Sequence, residues 1–144
     1  VYHNPRSVFV ARFVGDINMF TGDVISVDNS TATVKTEMGT FKGTLRGERA
    51  LSSKKVTYAL RPENVFLEPH ATKLANRIDA KYVDSLYKGE EVEYMFQLAD
   101  GSEFKVVKIG KEIVDLKADT DESVTLGWDS KSGIVLDRQS ALEG

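Results

Sequence analysis

Cysteine is absent from this chain of 144 residues, so disulfide bonds and thiolate metal sites are excluded. Only two histidines are present, His3 and His70, and both fall in predicted connections far apart in the sequence, which disfavours a zinc centre or a histidine-activated nucleophile. No apolar run reaches the roughly 18 residues that a spanning helix needs, and the first residues do not form a signal peptide. We therefore expect no direct membrane insertion.

A loop that cradles phosphate is also missing. Such a loop needs glycines spaced so that backbone amides converge on the anion, followed by a lysine and a hydroxyl. The only Gly-Lys pair is Gly110-Lys111, but Lys105 stands where the first glycine belongs and Glu112 where the hydroxyl belongs. The sequence therefore predicts no nucleotide site within this chain.

Metal and acid/base chemistry have little support. Asp119 and Asp121 could open a calcium loop, but Val124 stands where the sharp turn needs glycine and Ser130 where a late bidentate glutamate belongs. We interpret this cluster as a solvated turn and expect neither metal nor cofactor. A carboxylate pair such as Glu63 with Asp129 could act as acid and base, but nothing in the sequence indicates a pocket or a perturbed pKa.

Composition and charge are those of a soluble globular chain, with 41 % hydrophobic and 28 % charged residues. The length suits one ordinary domain or two small subdomains. A net charge of −3 argues against a surface that neutralises a phosphate backbone, so we expect no nucleic-acid partner. Because the chain begins with Val1 rather than methionine, we expect it to be a fragment of a longer protein.

The stretch around residues 56–68 organises the rest of the chain. Apolar residues alternate with small or polar ones from Val56 to Leu60, a period of two that predicts a strand with one buried face. Pro62 cannot donate to a sheet ladder and holds Arg61 extended, so this strand should end there before a second short strand. Arg61 and Glu63 flank the proline, where they pair with each other or face a ligand or partner.

The first residues have the punctuation of a short helix. Asn4 is the expected N-cap, Pro5 the first helical residue, and Gly15 the residue beyond the end. The helix has an apolar stripe that needs a surface to cover, and we expect it to contact a domain that precedes this chain, the barrel or a neighbouring chain. The stripe consists of Phe9, Val10, Phe13 and Val14.

From residue 16 onward the pattern is that of strands. Alternating runs are separated by turn residues, and Asp100-Gly101 is the strongest hairpin signal. Val106-Val107 breaks the alternation and predicts a bulge or a strand covered on both faces. Trp128 ends another alternating run, where an aromatic of this size is more often a core anchor than a ligand platform. Residues 138–144 are a polar tail.

A weak internal repeat divides the strand-rich part into two related units, residues 16–68 and 76–137. The run before the Arg-Pro-Glu corner parallels the run that ends at Trp128. A second correspondence links Asn18, Gly22 and Val24 to Asn76, Ala80 and Tyr82. Two similar β units would explain both correspondences, and the sequence predicts an all-β fold.

Two motifs together resemble a known family. The run from Tyr2 to Asn18, with sequence YHNPRSVFVARFVGDIN, resembles the junction at which ATP-binding subunits of ABC importers leave their nucleotide-binding domain. Leu60-Arg61-Pro62-Glu63 is similar to the hallmark of the regulatory domain that follows it. The resemblance covers essentially the whole chain, and the run from Gly15 to Asn18 is closer to the spermidine/putrescine branch than to the maltose branch.

The resemblance implies a fold and a division of labour. The fold would be an oligonucleotide-binding-like (OB-like) barrel assembly of two related halves, the TOBE domain, preceded by a helix over residues 1–15 left from the nucleotide-binding domain. The domain would be non-catalytic, with Arg61, Glu63 and Trp128 as candidate regulatory or interface residues. ATP and magnesium would bind in the missing domain, whose catalytic residues would all precede Val1.

Partners and location follow from the same resemblance. The implied partners are the chain's own ATPase domain, a second copy in a homodimer, and membrane permease subunits. The implied location is the cytoplasmic face of the bacterial inner membrane, and the implied transport substrate is a polyamine, with ferric iron, phosphonate and sugars left open. The alternative interpretation is a free-standing OB-like module that binds a small ligand or an oligonucleotide.

Overall fold

The structure, a computed structural model, describes residues 17–46, 55–117 and 122–137. The helix predicted near the start, with its stripe Phe9, Val10, Phe13 and Val14, and the tail from residue 138 lie outside these ranges. Within them the chain forms strands and three short 3₁₀ helices, at Pro62–Asn64, His70–Lys73 and Gly110–Glu112. None of the helices in these ranges has the length and apolar character needed to cross a bilayer.

Ten strands lie within the described ranges, which confirms the all-β prediction. In chain order they are β1 (Asn18–Asp28), β2 (Thr31–Thr36), β3 (Gly39–Leu45), β4 (Lys55–Leu60), β5 (Phe66–Leu67), β6 (Asn76–Lys88), β7 (Glu91–Gln97), β8 (Glu103–Ile109), β9 (Val124–Trp128) and β10 (Ile134–Asp137). The expected hairpin turn joins β7 to β8, where Gly101 has a φ of 87° that favours glycine.

The first four strands close into a barrel with the help of the last one. The order around the barrel is β1, β2, β3, β10 and β4, and β4 pairs again with β1. Strand β10 runs parallel to β3 and antiparallel to β4. The barrel is therefore completed by a strand that lies about 90 residues further along the chain than β3.

The second sheet has the order β5, β9, β6, β7 and β8. Strand β5 comes from the first half of the chain and pairs only with β9. Each half, β1 to β5 and β6 to β10, thus gives its last strand to the other half. The predicted assembly of two related halves is confirmed, and the two halves interlock by exchanging strands.

The strand registers make the halves equivalent residue by residue. Asn18 pairs with Leu60 in the first half, as Asn76 pairs with Trp128 in the second. The long strands β1 and β6 also carry matching irregularities, between Val24 and Ser26 and between Tyr82 and Asp84. Of the two alternatives predicted at Val106-Val107, the bulge is wrong, because β8 pairs with β7 without a register shift, while Val107 is half-buried. Val106 faces the core and Val107 the opposite side.

One apolar core runs through both halves. Its largest side chains with less than 2 % exposure include six aromatic ones, Trp128, Tyr58, Tyr94, Phe41, Phe96 and Phe104. Phe20 lies 5.9 Å from Phe104 between ring centroids and 5.1 Å from Phe41, so it joins a ring of one half to a ring of the other. Because the rings meet across the boundary, the halves share a core.

Candidate functional site

The Arg-Pro-Glu corner is held by a buried proline and a short helix. Arg61 has extended backbone angles, φ −75° and ψ 139°, as expected for a residue before proline. Pro62 is buried and begins a 3₁₀ helix, in which the N–H of Asn64 donates to the Arg61 carbonyl at 3.0 Å. Val65 is fully buried behind it. The corner is therefore fixed, and the side chains of Arg61 and Glu63 are left exposed.

These two side chains line a groove beside the open side of the second sheet. The groove has a volume of about 490 Å³, within the range of small ligand sites, roughly 300–1,000 Å³. The register of β6, β7 and β8 supplies the other wall by placing side chains of paired residues on one face. The lining residues are Arg61, Pro62, Glu63, Lys88, Glu91, Glu93, Val107, Ile109 and Glu112.

The groove is acidic on balance, with four carboxylates against two cations. Glu93 is only 8 % exposed, and its Oε1 lies 3.9 Å from Nζ of Lys88. Three apolar residues also line the groove, Pro62, Val107 and Ile109, and Ile109 is 56 % exposed at the end of β8. The arrangement is suited to a ligand that brings positive charge together with apolar surface.

A buried lysine, Lys108, lies between β8 and β5, next to the groove. Lys108 is 5 % exposed, and its Nζ lies 4.6 Å from the centroid of the Phe66 ring in β5. Desolvation lowers the pKa of Lys108, and the nearby charge of Glu112 opposes part of that shift. A cation–π contact therefore links the edges of β5 and β8 where no strand pairing does.

Trp128 lies in the core and not in the groove. It is fully buried, and its Nε1 donates to the Tyr58 hydroxyl at 2.7 Å. That hydroxyl donates in turn to the Lys42 carbonyl at 2.6 Å. Burial raises the pKa of Tyr58 above its ordinary value, and the hydrogen bond from Trp128 opposes the shift. Trp128 thus anchors one half against the other.

Two asparagine side chains, which we call the asparagine clasps, join each half to the edge of the other. The Asn18 amide donates to the Lys105 carbonyl and accepts from the Lys105 N–H, both at 2.8 Å. The Asn76 amide makes the same pair with Lys42, at 2.9 and 2.8 Å. The internal repeat singled out both asparagines, but only the structure shows what they bind.

The structure brings Arg61 and Glu63 together with residues that sequence reasoning missed. Lys88, Glu91 and Glu93 lie at the turn between β6 and β7, and their alternation was the only available signal that they share a face. Asp129, the suggested partner of Glu63 in acid/base chemistry, is not among the lining residues. In residues 17–46, 55–117 and 122–137, no three acidic or histidine side chains cluster as a metal site would require.

Residues 58–136 match the TOBE domain family. The matched range contains both the Arg-Pro-Glu corner and Trp128, and it reaches from β4 into β10. It therefore spans the exchanged strands as well as the groove.

Three similar proteins place this match in context. The chain is 36 % identical over 106 residues to the Fe(3+) ions import ATP-binding protein FbpC 1 of Rhizobium meliloti, covering 74 % of this chain and 28 % of that protein. It is 28 % identical to the spermidine/putrescine import ATP-binding protein PotA of Nitratidesulfovibrio vulgaris, covering 94 % and 38 %. The PotA of Trichormus variabilis is also 28 % identical, and the match covers 75 % of this chain and 29 % of that protein. The chain thus spans about a third of the length of these relatives.

Among solved structures, the fold is similar to that of the cytoplasmic molybdate-binding protein ModG. The TM-score is 0.65, and the likeness covers 83 % of this chain and 94 % of ModG at 14 % sequence identity. At this identity the likeness concerns the fold alone.

Proposed function

This chain belongs to the TOBE domain family, and on that premise we propose that it is the regulatory and dimerisation domain of an ABC importer ATP-binding subunit. The domain carries out no catalysis. Its own ATPase domain, a second copy of the subunit and the membrane permease subunits are its partners, and ATP and magnesium bind in the ATPase domain. The assembled subunit works on the cytoplasmic face of the bacterial inner membrane.

The observation that carries this proposal is the family match over residues 58–136, together with relatives that are named as import ATP-binding proteins. The interlocked halves support a mechanical role, since a shared core and exchanged strands make the domain move as one piece. Contacts between two such domains hold two ATPase domains together. A ligand that prefers one arrangement of the pair shifts the opening and closing of the ATP sites.

The candidate residues take defined parts in this proposal. Arg61 and Glu63 are exposed at the fixed corner and are suited to contact a regulator or the second copy. Trp128 acts from the core by holding the two halves in register through Tyr58. The stripe Phe9, Val10, Phe13 and Val14 contacts the ATPase domain.

We further propose that the imported solute is a polyamine such as spermidine or putrescine. The relatives named for spermidine/putrescine import support this assignment, and one of them covers 94 % of the chain. The relative at 36 % identity is named for Fe(3+) import, so iron is the competing substrate. Uptake of labelled putrescine and of ferric iron is measured in cells lacking the full-length subunit. Because these cells lose uptake only of the solute that the importer carries, the experiment distinguishes a polyamine importer from an iron importer.

The division of labour is tested by comparing this chain with the full-length subunit. We expect no hydrolysis of MgATP by the chain alone and clear hydrolysis by the subunit that includes the ATPase domain. Sedimentation of the full-length subunit, with and without residues 17–137, tests the dimerisation role, and we expect the truncated form to lose its dimer. Hydrolysis by the chain alone, or an unchanged dimer after truncation, would contradict the proposal.

A second candidate function is a module that binds a small ligand or an oligonucleotide. The likeness to ModG, which covers 94 % of a protein described as molybdate-binding, favours it. Titrations with molybdate and with single-stranded DNA at low salt discriminate between the two functions. Tight, salt-sensitive DNA binding or saturable molybdate binding would favour the second candidate, whereas the acidic net charge favours the first.

A further inference from the structure

The groove beside the Arg-Pro-Glu corner is a concavity and not an open sheet edge. The 3₁₀ helix at Pro62–Asn64 packs against β8, as β10 packs against β3, so the edge of β8 is covered. The groove of about 490 Å³ lies between this helix and the hairpin of β6 and β7. An occupant of the groove therefore contacts side chains and does not add a strand.

The first described strand begins beside this groove. Asn18, the first residue of β1, pairs with Leu60, which is the neighbour of Arg61 in the groove lining. The Asn18 side chain also bonds to Lys105, which precedes Val107 of the lining by two residues. The part of the chain that precedes β1 is therefore attached at one end of the groove.

The groove and the segment attached to it have similar lengths. From Lys105, beside the attachment point, to Ile109 at the far end, β8 spans about 13 Å at roughly 3.3 Å per residue. The helix that the sequence predicts over residues 5–14 would be about 15 Å long. Residues 15–17 join it to Asn18, and a chain of this length reaches at most about 10 Å. Such a helix can lie along the whole groove.

The predicted helix has two faces of different character. One is the apolar stripe, which consists of Phe9, Val10, Phe13 and Val14. The other face, which we call the arginine face, consists of Val8, Ala11 and Arg12. These residues are three and four positions apart and so are neighbours on a helix. The arginine face thus combines one positive charge with small and apolar side chains.

From this placement we propose that the groove binds residues 5–14 of the same chain, with the arginine face turned toward it. The groove lining has four carboxylates against two cations, so a further positive charge is favourable there. Arg12 pairs with Glu63 and Glu93, because the corner and the register of β7 with β8 place these two carboxylates nearest the attached end.

The direction of the helix follows from its attachment. Val14 is the end that lies close to Asn18, so the helix runs back along the groove and Arg12 stays near the attached end. Val8 lies about one turn, or about 5.4 Å, further along. It covers Ile109, which is 56 % exposed in the structure.

The apolar stripe is a poorer match for the groove. It brings two phenylalanine rings and two valines, whereas three of the nine lining residues are apolar and six are charged. Covering charged groups with apolar rings removes their water without replacing its hydrogen bonds, which costs free energy. With the arginine face in the groove, the stripe points away from the barrel and can contact the ATPase domain. The inference is therefore compatible with the transport role proposed above but does not depend on it.

Attachment also favours the chain's own segment over the same segment of a second copy. A short tether gives an effective concentration on the order of 1 mM, which exceeds the micromolar concentration of protein in a binding experiment. Docking within one chain is independent of protein concentration, and this property distinguishes the two occupants.

The test measures whether residues 5–14 shield Ile109 in the full chain. Because the chain has no cysteine, Ile109→Cys introduces a single thiol into the groove. Ile25→Cys is the matched control, since Ile25 is 57 % exposed and lies about 20 Å along β1 from Asn18. We expect N-ethylmaleimide, an uncharged reagent, to react about tenfold more slowly at position 109 than at position 25, which corresponds to about 1.4 kcal/mol of docking free energy.

Charge reversal then tests the arginine face. Arg12→Glu should raise the reaction rate at position 109 about tenfold, because the helix leaves the groove. Arg6→Glu changes the net charge equally, but Arg6 lies beside the stripe, and the rate should not change. Adding Glu63→Arg to Arg12→Glu should restore the slow rate, since the two charges are exchanged. The rate at position 25 should be the same in all of these variants.

Three results would overturn the proposal. They are equal reaction rates at positions 109 and 25, a rate at position 109 that Arg12→Glu leaves unchanged, and protection that increases with protein concentration. A response to Arg6→Glu alone would mean that the stripe occupies the groove, and a dependence on concentration would mean that a second copy does.

Discussion

The two halves of this chain solve one problem in different ways. In the first, β10 lies between β3 and β4 and closes a barrel. In the second, β5 pairs with β9 and not with β8, so the sheet does not close into a barrel. A closed barrel has no edge strand, whereas the second sheet ends at β8 and has a groove beside it. The difference shows that one repeated unit can serve as a sealed support and as a candidate site.

The closed half depends on glycine where the open half has valine. Tyr58 fills the first barrel, and a Cβ at Gly133 would lie 1.8 Å from its hydroxyl oxygen, while one at Gly43 would lie 2.7 Å from its ring. By strand register, the equivalent trio in the second half is Leu126, Val106 and Val65. In the first half Tyr58 fills the space between two glycines, and in the second half three medium-sized side chains fill the equivalent space. The hydroxyl of the large residue also allows a buried hydrogen bond.

The largest effect should come from Gly133→Ala. The new Cβ overlaps the Tyr58 oxygen, which cannot retreat without losing its bonds to Trp128 and Lys42. We expect a loss of at least about 3 kcal/mol in the free energy of unfolding, measured by urea denaturation. The matched change in the open half, Val65→Ala, removes methyl groups instead and should cost about 2 kcal/mol.

A double variant sharpens this comparison. Tyr58→Leu copies the residue of the second half, and in the Gly133→Ala background it removes the overlap. The two changes together should therefore cost less than the sum of the single costs, by at least about 1 kcal/mol. Strict additivity would mean that the two residues do not compete for space.

The next effect is that of Tyr58→Phe, which keeps the ring and removes the hydroxyl. It leaves Nε1 of Trp128 without its partner inside the core, whereas the Lys42 carbonyl keeps its bond from Asn76, and we expect a loss of about 2–3 kcal/mol. Tyr87→Phe is the control, because Tyr87 is 68 % exposed, and its change should stay within about 0.5 kcal/mol. A loss below about 1 kcal/mol for Tyr58→Phe would contradict the role given to this network.

The same variant has a signature in alkaline solution. Burial raises the pKa of Tyr58, so the folded chain keeps a proton that the unfolded chain releases near its ordinary pKa of 10.0. The unfolded state then binds fewer protons, and stability falls as pH rises above about 10. Stability measured between pH 8 and pH 11 should fall less steeply for Tyr58→Phe. Parallel curves would show that Tyr58 titrates alike in both states.

The smallest effect should separate the two asparagine clasps. Asn76→Ala removes both bonds to Lys42 within the closed half, and we expect a loss of about 2 kcal/mol. Asn18→Ala removes the matching bonds to Lys105, and we expect about 1 kcal/mol, because Asn18 lacks the further contact that Asn76 makes with the Tyr58 hydroxyl at 3.4 Å. Thermal unfolding of both variants checks the order, and a larger loss for Asn18→Ala would reverse the comparison.

Much of the fold could be read from the sequence. Period-two alternation located β4, β7 and β9, and the Asp100-Gly101 turn located the hairpin between β7 and β8. The repeat revealed two related halves, because the equivalent residues carry similar side chains. The exchange of β5 and β10 could not be predicted, since strand pairing between distant segments leaves no local periodicity. The bulge predicted at Val106-Val107 was wrong because the alternation continues through this strand. Phe104, Val106 and Lys108 are the buried residues, and the polar character of Lys108 hid this pattern in the sequence.

The site was only partly accessible from the sequence. The Arg-Pro-Glu corner identified Arg61 and Glu63 because a proline between charged residues is a local signal. Lys88, Glu91 and Glu93 join them through sheet register, which is a property of three paired strands and not of any one segment.

The exchanged strands also determine how the chain would respond to a cut. A nick in the connection at His70–Lys73 would leave two fragments that still hold each other, because each retains a strand lodged in its counterpart. Separating the fragments would require β10 to dissociate from β3 and β4, and the barrel would then no longer be closed. The four residues of β10, Ile134–Asp137, thus hold the two fragments together and keep the barrel closed.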